Sequence, residues 1–300
     1  MIGLIRNEWM KLFSKMSTYI FVGFMVLGII GAGFISNFLN NATEQDVKEA
    51  KQTLADSNAS EDDKLMAADI LASSEGNITE TVWDFMADWA IGLVSFITLF
   101  TVIVCSGMVA SEFSDGTIKQ LLIRPHKRWK ILLSKYVTSL MFAGMLLFTL
   151  LVSGYLVGLI FFGNGSFTAE IPDPSLSGDM VEVGGYFTDM LLYWIPGFFI
   201  IITIAFMLST LFKTTSIAVG VAVFILFASS TLNFVILNLV DRYSWLKFIL
   251  FPHLDLRSLF LLDLSYEGAS IGFSLGLLAV YYVVFLAITF FVFRKRDIAI

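Results

Sequence analysis

Six long apolar runs constrain this chain of 300 residues more than any other feature. An α-helix needs ~20 apolar residues to cross the hydrocarbon core of a bilayer, and each run has that length. None of the six contains Asp, Glu, Lys, Arg or His. They are residues 18–39, 90–110, 137–162, 191–212, 216–240 and 271–293. We therefore predict an all-α integral membrane protein in which residues 1–300 form a single domain with six transmembrane helices.

The composition also indicates that much of the chain is surrounded by lipid. Hydrophobic residues make up 57% of the chain, charged residues 15%, and the mean hydropathy is +0.81. A soluble protein of this size could not keep so much apolar surface away from water. The single cysteine, Cys105, excludes an intrachain disulfide and a cysteine-built metal site, and a small core residue is the expected role.

The distribution of Lys and Arg predicts the orientation. An even number of spans places both termini on one side, and the segments on that side hold thirteen of the nineteen basic residues. Those segments carry only four acids, whereas the remaining segments are acidic. The positive-inside rule then places both termini in the cytoplasm, and we expect a multi-pass protein of the bacterial cytoplasmic membrane.

The segments outside the spans have distinct patterns. Residues 1–17 predict an amphipathic helix on the inner face, with Trp9 on its apolar side and Glu8 and Lys11 opposite. Residues 40–88 predict a polar extracellular segment, either a helical hairpin in which Ser60 caps a helix or a mobile solvated loop. Residues 244–262 are too polar to span and too apolar for a free loop, which predicts an outer interfacial or re-entrant segment.

The sequence lacks the motifs of several common kinds of active site. The sequence has no G-x-x-x-x-G-K-[ST], H-E-x-x-H or G-x-S-x-G pattern, so we predict no ATP site, no catalytic residue, no metal and no cofactor in this chain. His126 and His253 lie on opposite sides of the predicted membrane. An enzymatic alternative would rest on His253 with Asp255 and Asp263, a small cluster of a kind that is common by chance.

The spans also lack the charges on which ion-coupled carriers depend. Energy for transport must therefore come from outside this chain. The spans instead offer hydroxyls and amides, which are expected at helix contacts, with some lining a path. These polar residues include Thr98, Thr101, Ser106, Thr149, Ser153, Thr203, Ser209, Ser229, Ser230, Thr231 and Asn233.

A basic segment joins the second and third spans. Residues 111–136 contain E-F-S-D-G-T-I-K-Q-L-L-I-R-P-H-K-R, the chain begins with an R-N-E-W-M-K-L-F segment, and it ends with F-x-F-R-K-R-D-I. Together with the six spans, these features resemble an ABC-2 type transporter permease with a type V exporter-like fold. Permeases of that family are membrane subunits of bacterial ABC exporters, which often handle antimicrobial peptides, antibiotics or lipid-linked material.

The resemblance implies that residues 111–136 include a coupling helix, which inserts into a groove of a separate ATPase subunit. Gly116 permits a tight turn, and Glu112 is placed to pair with a base of the N-terminal helix or of the loop. Apolar residues of the segment offer a docking face, and Arg124-Pro125 ends the helix. The implied coupling residues are Glu112, Asp115, Gly116, Thr117, Ile118, Leu121, Leu122, Arg124, Pro125 and Arg128.

The expected function is that of an exporter permease, driven by ATP and Mg on the partner ATPase. It would work with a second permease copy, as a homodimer or a related heterodimer, within the lipid bilayer. The predicted substrate is amphipathic, a peptide or antibiotic, because the spans offer little to a compact hydrophilic solute. No nucleic-acid partner is expected. The alternatives are an ATP-independent channel or secondary carrier, a membrane enzyme, and a resistance or sensing complex of the same family.

Overall fold

The computed structural model describes residues 1–56, 59–74, 81–117, 127–173, 180–261, 266 and 268–295. Most of these residues are helical. The helices are α1 (Ile2–Phe13), α2 (Met16–Ala55), α3 (Glu61–Ser74), α4 (Val82–Phe85), α5 (Ile91–Ser114), α6 (Arg128–Phe161), α7 (Val183–Leu211), α8 (Thr215–Leu237), α9 (Leu256–Phe260) and α10 (Ile271–Lys295). A π-helical turn, Met86–Ala90, joins α4 to α5.

Six helical segments in the described part of the chain are long and apolar enough to cross a membrane. They are Met16–Ala55, Val82–Ser114, Arg128–Phe161, Val183–Leu211, Thr215–Leu237 and Ile271–Lys295. Each contains most or all of one predicted run, so the prediction of a helical membrane protein is confirmed. The structure adds a short antiparallel hairpin, in which β1 (Glu170–Pro172) pairs with β2 (Met180–Glu182).

The chain divides into two compact units. Unit 1 consists of Met1–Val22, Val94–Leu147 and Met190–Ile300. Buried hydroxyls link its helices: the Tyr136 hydroxyl lies 2.8 Å from Thr203 Oγ1 and 3.2 Å from the Tyr282 hydroxyl. Such bonds satisfy polar groups that would otherwise be buried unpaired, as expected for helix contacts inside a membrane.

Unit 2 consists of Gly23–Leu93 and Phe148–Asp189. Its helices approach closely at small residues, since a Cβ added to Gly158 would lie 2.7 Å from a Val82 methyl group. The Thr81 side chain caps α4 through a capping box with Asp84. These contacts position α4 and the π-helical turn ahead of α5.

The predicted extracellular segment contains a helical pair. Helix α2 continues to Ala55, well past the end of its apolar run, and α3 follows. The Asp63 amide donates to Ser60 Oγ at 3.1 Å, which confirms Ser60 as the cap of α3. A cleft of about 530 Å³ between the two helices is lined largely by acidic and polar side chains.

The predicted interfacial segment 244–262 folds into two 3₁₀ turns, Ser244–Phe248 and Phe251–Leu254, followed by α9. The second turn packs on α8 and α10. It also meets α7, because the Leu254 carbonyl occupies the space where a Cβ of Gly197 would lie.

Pro196 lies next to this contact. Helix α7 begins at Val183, so Pro196 lies well inside the helix, where it removes a backbone hydrogen bond. Within a membrane helix, such a proline is tolerated where neighbouring groups satisfy the freed backbone group. The next residue, Gly197, has no side chain and so lets the Leu254 turn approach α7 closely.

Candidate functional site

Four charged side chains meet at one end of unit 1. Glu8 and Lys11 come from α1, Glu112 from the last turns of α5, and Lys135 from the second turn of α6. Glu8 and Lys11 are three residues apart, which places them on one face of α1. This charge cluster therefore joins the N-terminal helix to the two helices that flank the basic segment.

Lys135 lies at the centre of the charge cluster. Its Nζ donates to Glu8 Oε2 at 2.8 Å and to Glu112 Oε1 at 2.6 Å. Lys11 Nζ lies at the rim, 3.3 Å from Glu8 Oε1 and 3.1 Å from Glu112 Oε1. Two cations and two carboxylates thus alternate, so the charges of the group balance.

The side chains differ sharply in exposure. Only 2% of the Lys135 side chain is exposed, compared with 48% of the Lys11 side chain. Burial by itself raises the pKa of the Glu8 carboxyl, but Lys135 and then Lys11 outweigh it, so the pKa of Glu8 lies below its ordinary value. Burial lowers the pKa of the Lys11 ammonium, whereas Glu8 and Glu112 raise it further, leaving it above its ordinary value. Both shifts favour the charged forms.

One oxygen of the charge cluster has no donor. Glu112 Oε2 is buried and has no hydrogen-bond partner among the described residues. A cavity of about 370 Å³ adjoins the charge cluster and is lined also by Ser111, Asp115 and Thr117. The start of the predicted coupling segment therefore borders this cavity.

The turn after α5 is fixed by a glycine. Gly116 has a φ of +70°, and its amide donates to the Phe113 carbonyl at 3.3 Å. This left-handed conformation is common where helices end, because glycine adopts it without a steric penalty. Asp115 and Thr117 on either side are exposed.

The far end of the basic segment is also anchored in unit 1. Arg128 begins α6 and donates through Nη1 to the Arg294 carbonyl in the last turn of α10, at 3.3 Å. This contact and the charge cluster place α1 and the end of α10 at the same end of unit 1. Five predicted coupling residues lie outside the described residues: Ile118, Leu121, Leu122, Arg124 and Pro125.

Two features of the charge cluster differ from the sequence analysis. Glu8 was assigned to the polar side of α1, but it is buried. Trp9 is half-buried, with its ring 5.1 Å from that of Phe13. Lys135 belongs to the segment 111–136 between two predicted spans, but it lies inside α6. Glu8 and Glu112 both accept from Lys135, which brings one face of α1 next to the start of α6. A pattern that is read one helix at a time does not reveal a partner on another helix.

A second cavity lies at the opposite end of unit 1. Its volume is about 300 Å³, and α5, α7, α8 and the turn after α8 enclose it. Apolar side chains form most of its wall, while several polar span residues line it as the sequence suggested. The lining includes Ser95, Phe96, Thr98, Leu99, Trp194, Phe198, Ile201, Leu226, Phe227, Ser229, Ser230, Asn233, Phe251, Leu254, Asp255 and Arg257. We call this the apolar cavity.

Polar contacts organise one side of the apolar cavity. Trp194 Nε1 donates to Thr98 Oγ1 at 3.1 Å, and Arg257 Nε lies 3.2 Å from Asp255 Oδ1. Asn233 Oδ1 is buried and has no hydrogen-bond partner within the described ranges. A buried acceptor of this kind is stabilised by any ligand that brings a donor.

His253 has a structural role in the turn above this cavity. Its side chain is fully buried, with Nδ1 2.9 Å from Ser274 Oγ and Nε2 2.9 Å from the Lys247 carbonyl. Burial lowers the pKa of His253 despite the carbonyl contact, which favours the neutral ring. A carbonyl can only accept, so Nε2 carries the hydrogen and Nδ1 accepts from Ser274. Asp263 lies outside the described residues, which contain no group of three or more His, Cys, Asp or Glu side chains able to hold a metal ion.

The fold and these sites define a multi-pass, mostly helical membrane protein. The chain belongs to the family described as protein of unknown function (DUF2705), whose model matches residues 59–299. It is similar to the uncharacterized protein YhcI of Bacillus subtilis (strain 168), at 35% identity over 318 residues that cover 100% of both chains. It is also similar to the uncharacterized membrane protein YdbK of the same organism, at 30% identity over 201 residues, or 67% of this chain and 77% of YdbK. No solved structure matches the chain.

Proposed function

We propose that this protein is the permease subunit of an ATP-driven exporter of the ABC-2 type. It has six candidate spans but no phosphate-binding loop in its sequence, so a separate ATPase would supply the energy. The permease would act with a second copy, or a related chain, in the bacterial cytoplasmic membrane. Its cargo would be amphipathic.

The charge cluster is the observation that carries this proposal. It links α1, α5 and α6 at the end of unit 1 from which the basic segment leaves. Since Lys135 is bonded to both carboxylates, a displacement of the segment after Glu112 would be felt by α1 and α6 together. An ATPase that engages the segment would thereby move three helices as one group.

Basic residues support placing this end in the cytoplasm. The basic segment, α1 and the last turn of α10 are rich in Lys and Arg, and the Arg128–Arg294 contact brings two of these elements together. A cytoplasmic ATPase would then meet the segment between α5 and α6. Cysteines placed at Lys127 and at Ser57 in a Cys105→Ser chain should react oppositely with an impermeant reagent in intact cells.

Co-purification tests the proposal directly. The tagged chain is purified from its native host into nanodiscs, and both the association of an ABC ATPase and ATP hydrolysis are measured. We expect the ATPase to associate, and amphipathic peptides to stimulate hydrolysis more than sugars or simple ions do. The permease alone should not bind nucleotide. Saturable ATP binding to the isolated chain, or no associated ATPase, would overturn the proposal.

Gly116→Val sharpens the test because Gly116 has a positive φ and an added Cβ would meet no atom of the described residues within 4 Å. A β-branched residue disfavours that conformation by about 1–2 kcal/mol, so the turn should change without a clash. We expect normal insertion but weaker ATPase association. Gly3→Val has equally open space but no positive φ and serves as the matched control. Equal association of the two variants would contradict a coupling role for this turn.

A further inference from the structure

The apolar cavity has the properties of a binding site for a small molecule. We propose that it binds one single-chain amphiphile with a hydrogen-bond-donating head, of which a primary alkyl amine is the simplest example. The head would contact Asn233, and the chain would lie against Phe198, Ile201 and Leu226. Identifying this ligand with the exporter's cargo rests on the proposed function, whereas the binding itself does not.

The volume sets the size of the ligand. The cavity measures about 300 Å³, and each water-sized group in a liquid occupies about 30 Å³, so on the order of ten non-hydrogen atoms fit. One alkyl chain with a small head satisfies this limit. A folded peptide or a lipid with two acyl chains does not, and a peptide could insert only one side chain or acyl group.

The walls have a polar end and an apolar end. Asn233 comes seven residues after Leu226 on α8, and Ile201 comes seven residues after Trp194 on α7. Seven residues correspond to about 10 Å of helix. The two helices are joined by a short connection and run in opposite directions, so Asn233 lies at the Trp194 end and Leu226 at the Ile201 end. An amphiphile therefore fits with its head at the Asn233 end and its alkyl chain at the Leu226 end.

The polar end favours a donor over an acceptor. Asn233 Oδ1 is a buried acceptor without a partner in the described part of the chain, and the Asp255 carboxylate lies in the same wall. An ammonium or hydroxyl head supplies the donor that Asn233 Oδ1 lacks. A carboxylate head would instead place another acceptor at this end. Arg257 also lines the cavity, but its Nε is already paired with Asp255.

The side of α8 provides a route from the membrane. Phe227 and Ser230 line the cavity and are exposed at the same time, and α8 is one of the candidate spans. The cavity is therefore open on the exposed side of a candidate span. An amphiphile already dissolved in the bilayer can enter without crossing water.

The remaining walls are already positioned without a ligand. Trp194 is held by its bond to Thr98, and the turn that carries Leu254 and Asp255 is seated on Gly197. A site with walls fixed in advance loses less entropy when its ligand binds.

Trp194 supplies a direct readout, because it lies in the wall. The purified full-length chain in nanodiscs is titrated with an alkyl amine that carries bromine on its chain, and tryptophan fluorescence is recorded. We expect a saturable quenching component that disappears in Trp194→Phe. In Asn233→Leu the affinity should fall about tenfold. Asn238→Leu, at the C-cap of the same helix and outside the cavity, should bind like the parent chain.

Two further comparisons decide the chemistry. The corresponding bromoalkyl carboxylate should bind at least tenfold more weakly than the amine, and Leu226→Trp, which fills the apolar end, should abolish saturable quenching. Quenching that is purely non-saturable in the parent chain would overturn the site, and equal binding of amine and carboxylate would overturn the assignment of the head. These measurements need no ATPase, so a failed binding assay and a failed ATPase association remain distinguishable.

Discussion

The two ends of unit 1 accommodate buried polar groups in different ways. At one end, Lys135 is enclosed by two carboxylates. At the other end, Asn233 Oδ1 lies buried beside about 300 Å³ of space, with no partner among the described residues. Each end has one buried oxygen without a partner among the described residues, Glu112 Oε2 at the first and Asn233 Oδ1 at the second, but only at the first end do balanced charges join three helices.

Helix α5 connects the two ends. Thr98 and Glu112 are fourteen residues apart on it, which corresponds to about 21 Å along the axis. A ligand at one end and a partner at the other would therefore act on the same rigid element. On this one helix, charged side chains connect neighbouring helices at one end, and an apolar cavity provides room for a ligand at the other.

The largest effect should come from Lys135→Met, which breaks the charge cluster at its centre. The change leaves the Glu8 and Glu112 carboxylates buried close to one another without their shared cation. Removing one partner of a buried ion pair costs about 3–5 kcal/mol, so we expect a large fall in thermal stability in nanodiscs. Intrinsic fluorescence or circular dichroism during heating measures it.

A triple change provides the control. Lys135→Met combined with Glu8→Gln and Glu112→Gln removes the uncompensated charges, and part of the lost stability should return. If the triple variant is no more stable than the single one, the charge cluster is not an ionic contact of the kind the distances indicate.

A smaller effect is expected at the apolar cavity from Gly197→Ala. The added methyl group would overlap the Leu254 carbonyl, which is backbone and cannot turn aside. Displacing the turn should cost about 1–3 kcal/mol, as overpacking does, and should weaken amphiphile binding. Gly220→Ala, where the added atom meets open space, should be neutral or slightly stabilising. Identical melting of the two variants would contradict the close contact.

The spans were predictable because each is a long run without charge, and the bilayer makes that pattern almost unambiguous. The capped helix at Ser60 was predictable for a local reason, namely a serine followed by three acidic residues. The hairpin of β1 and β2 was not predicted, since strands of three residues carry too little alternation to be recognised.

The charge cluster was predictable only in part. Glu112 was expected to pair with a base of α1 or of the loop, and its contacts with Lys11 and Lys135 agree. The burial of Glu8 was not foreseen, because periodicity assigns every charge of a surface helix to water or headgroups. Four polar residues of the apolar cavity, Thr98, Ser229, Ser230 and Asn233, were recognised as candidates, but only the fold brings them together.

Acid should weaken the charge cluster. Lys135 and Lys11 hold the pKa of Glu8 below its ordinary value of 4.5, despite burial. The resulting stability is fully present above pH 4.5 and is lost as the pH falls through the lower pKa of the folded state. We therefore expect the difference in melting temperature between the parent and Glu8→Gln to be constant near neutral pH and to shrink below pH 4.5. A difference that grows as the pH falls would contradict this sign.

The smallest effect should come from Lys11→Met, at the exposed rim of the charge cluster. Lys11 contacts the same two carboxylates as Lys135, at 3.1 and 3.3 Å, but 48% of its side chain is exposed. Water and salt screen such a pair, so its loss should cost at most about 1 kcal/mol and less at high ionic strength. The same thermal melts as for Lys135→Met, repeated at low and high salt, measure it. A loss as large as that of Lys135→Met would mean that the exposed Lys11 and the buried Lys135 contribute equally to stability. That result would contradict the assignment of Lys135 as the centre of the charge cluster.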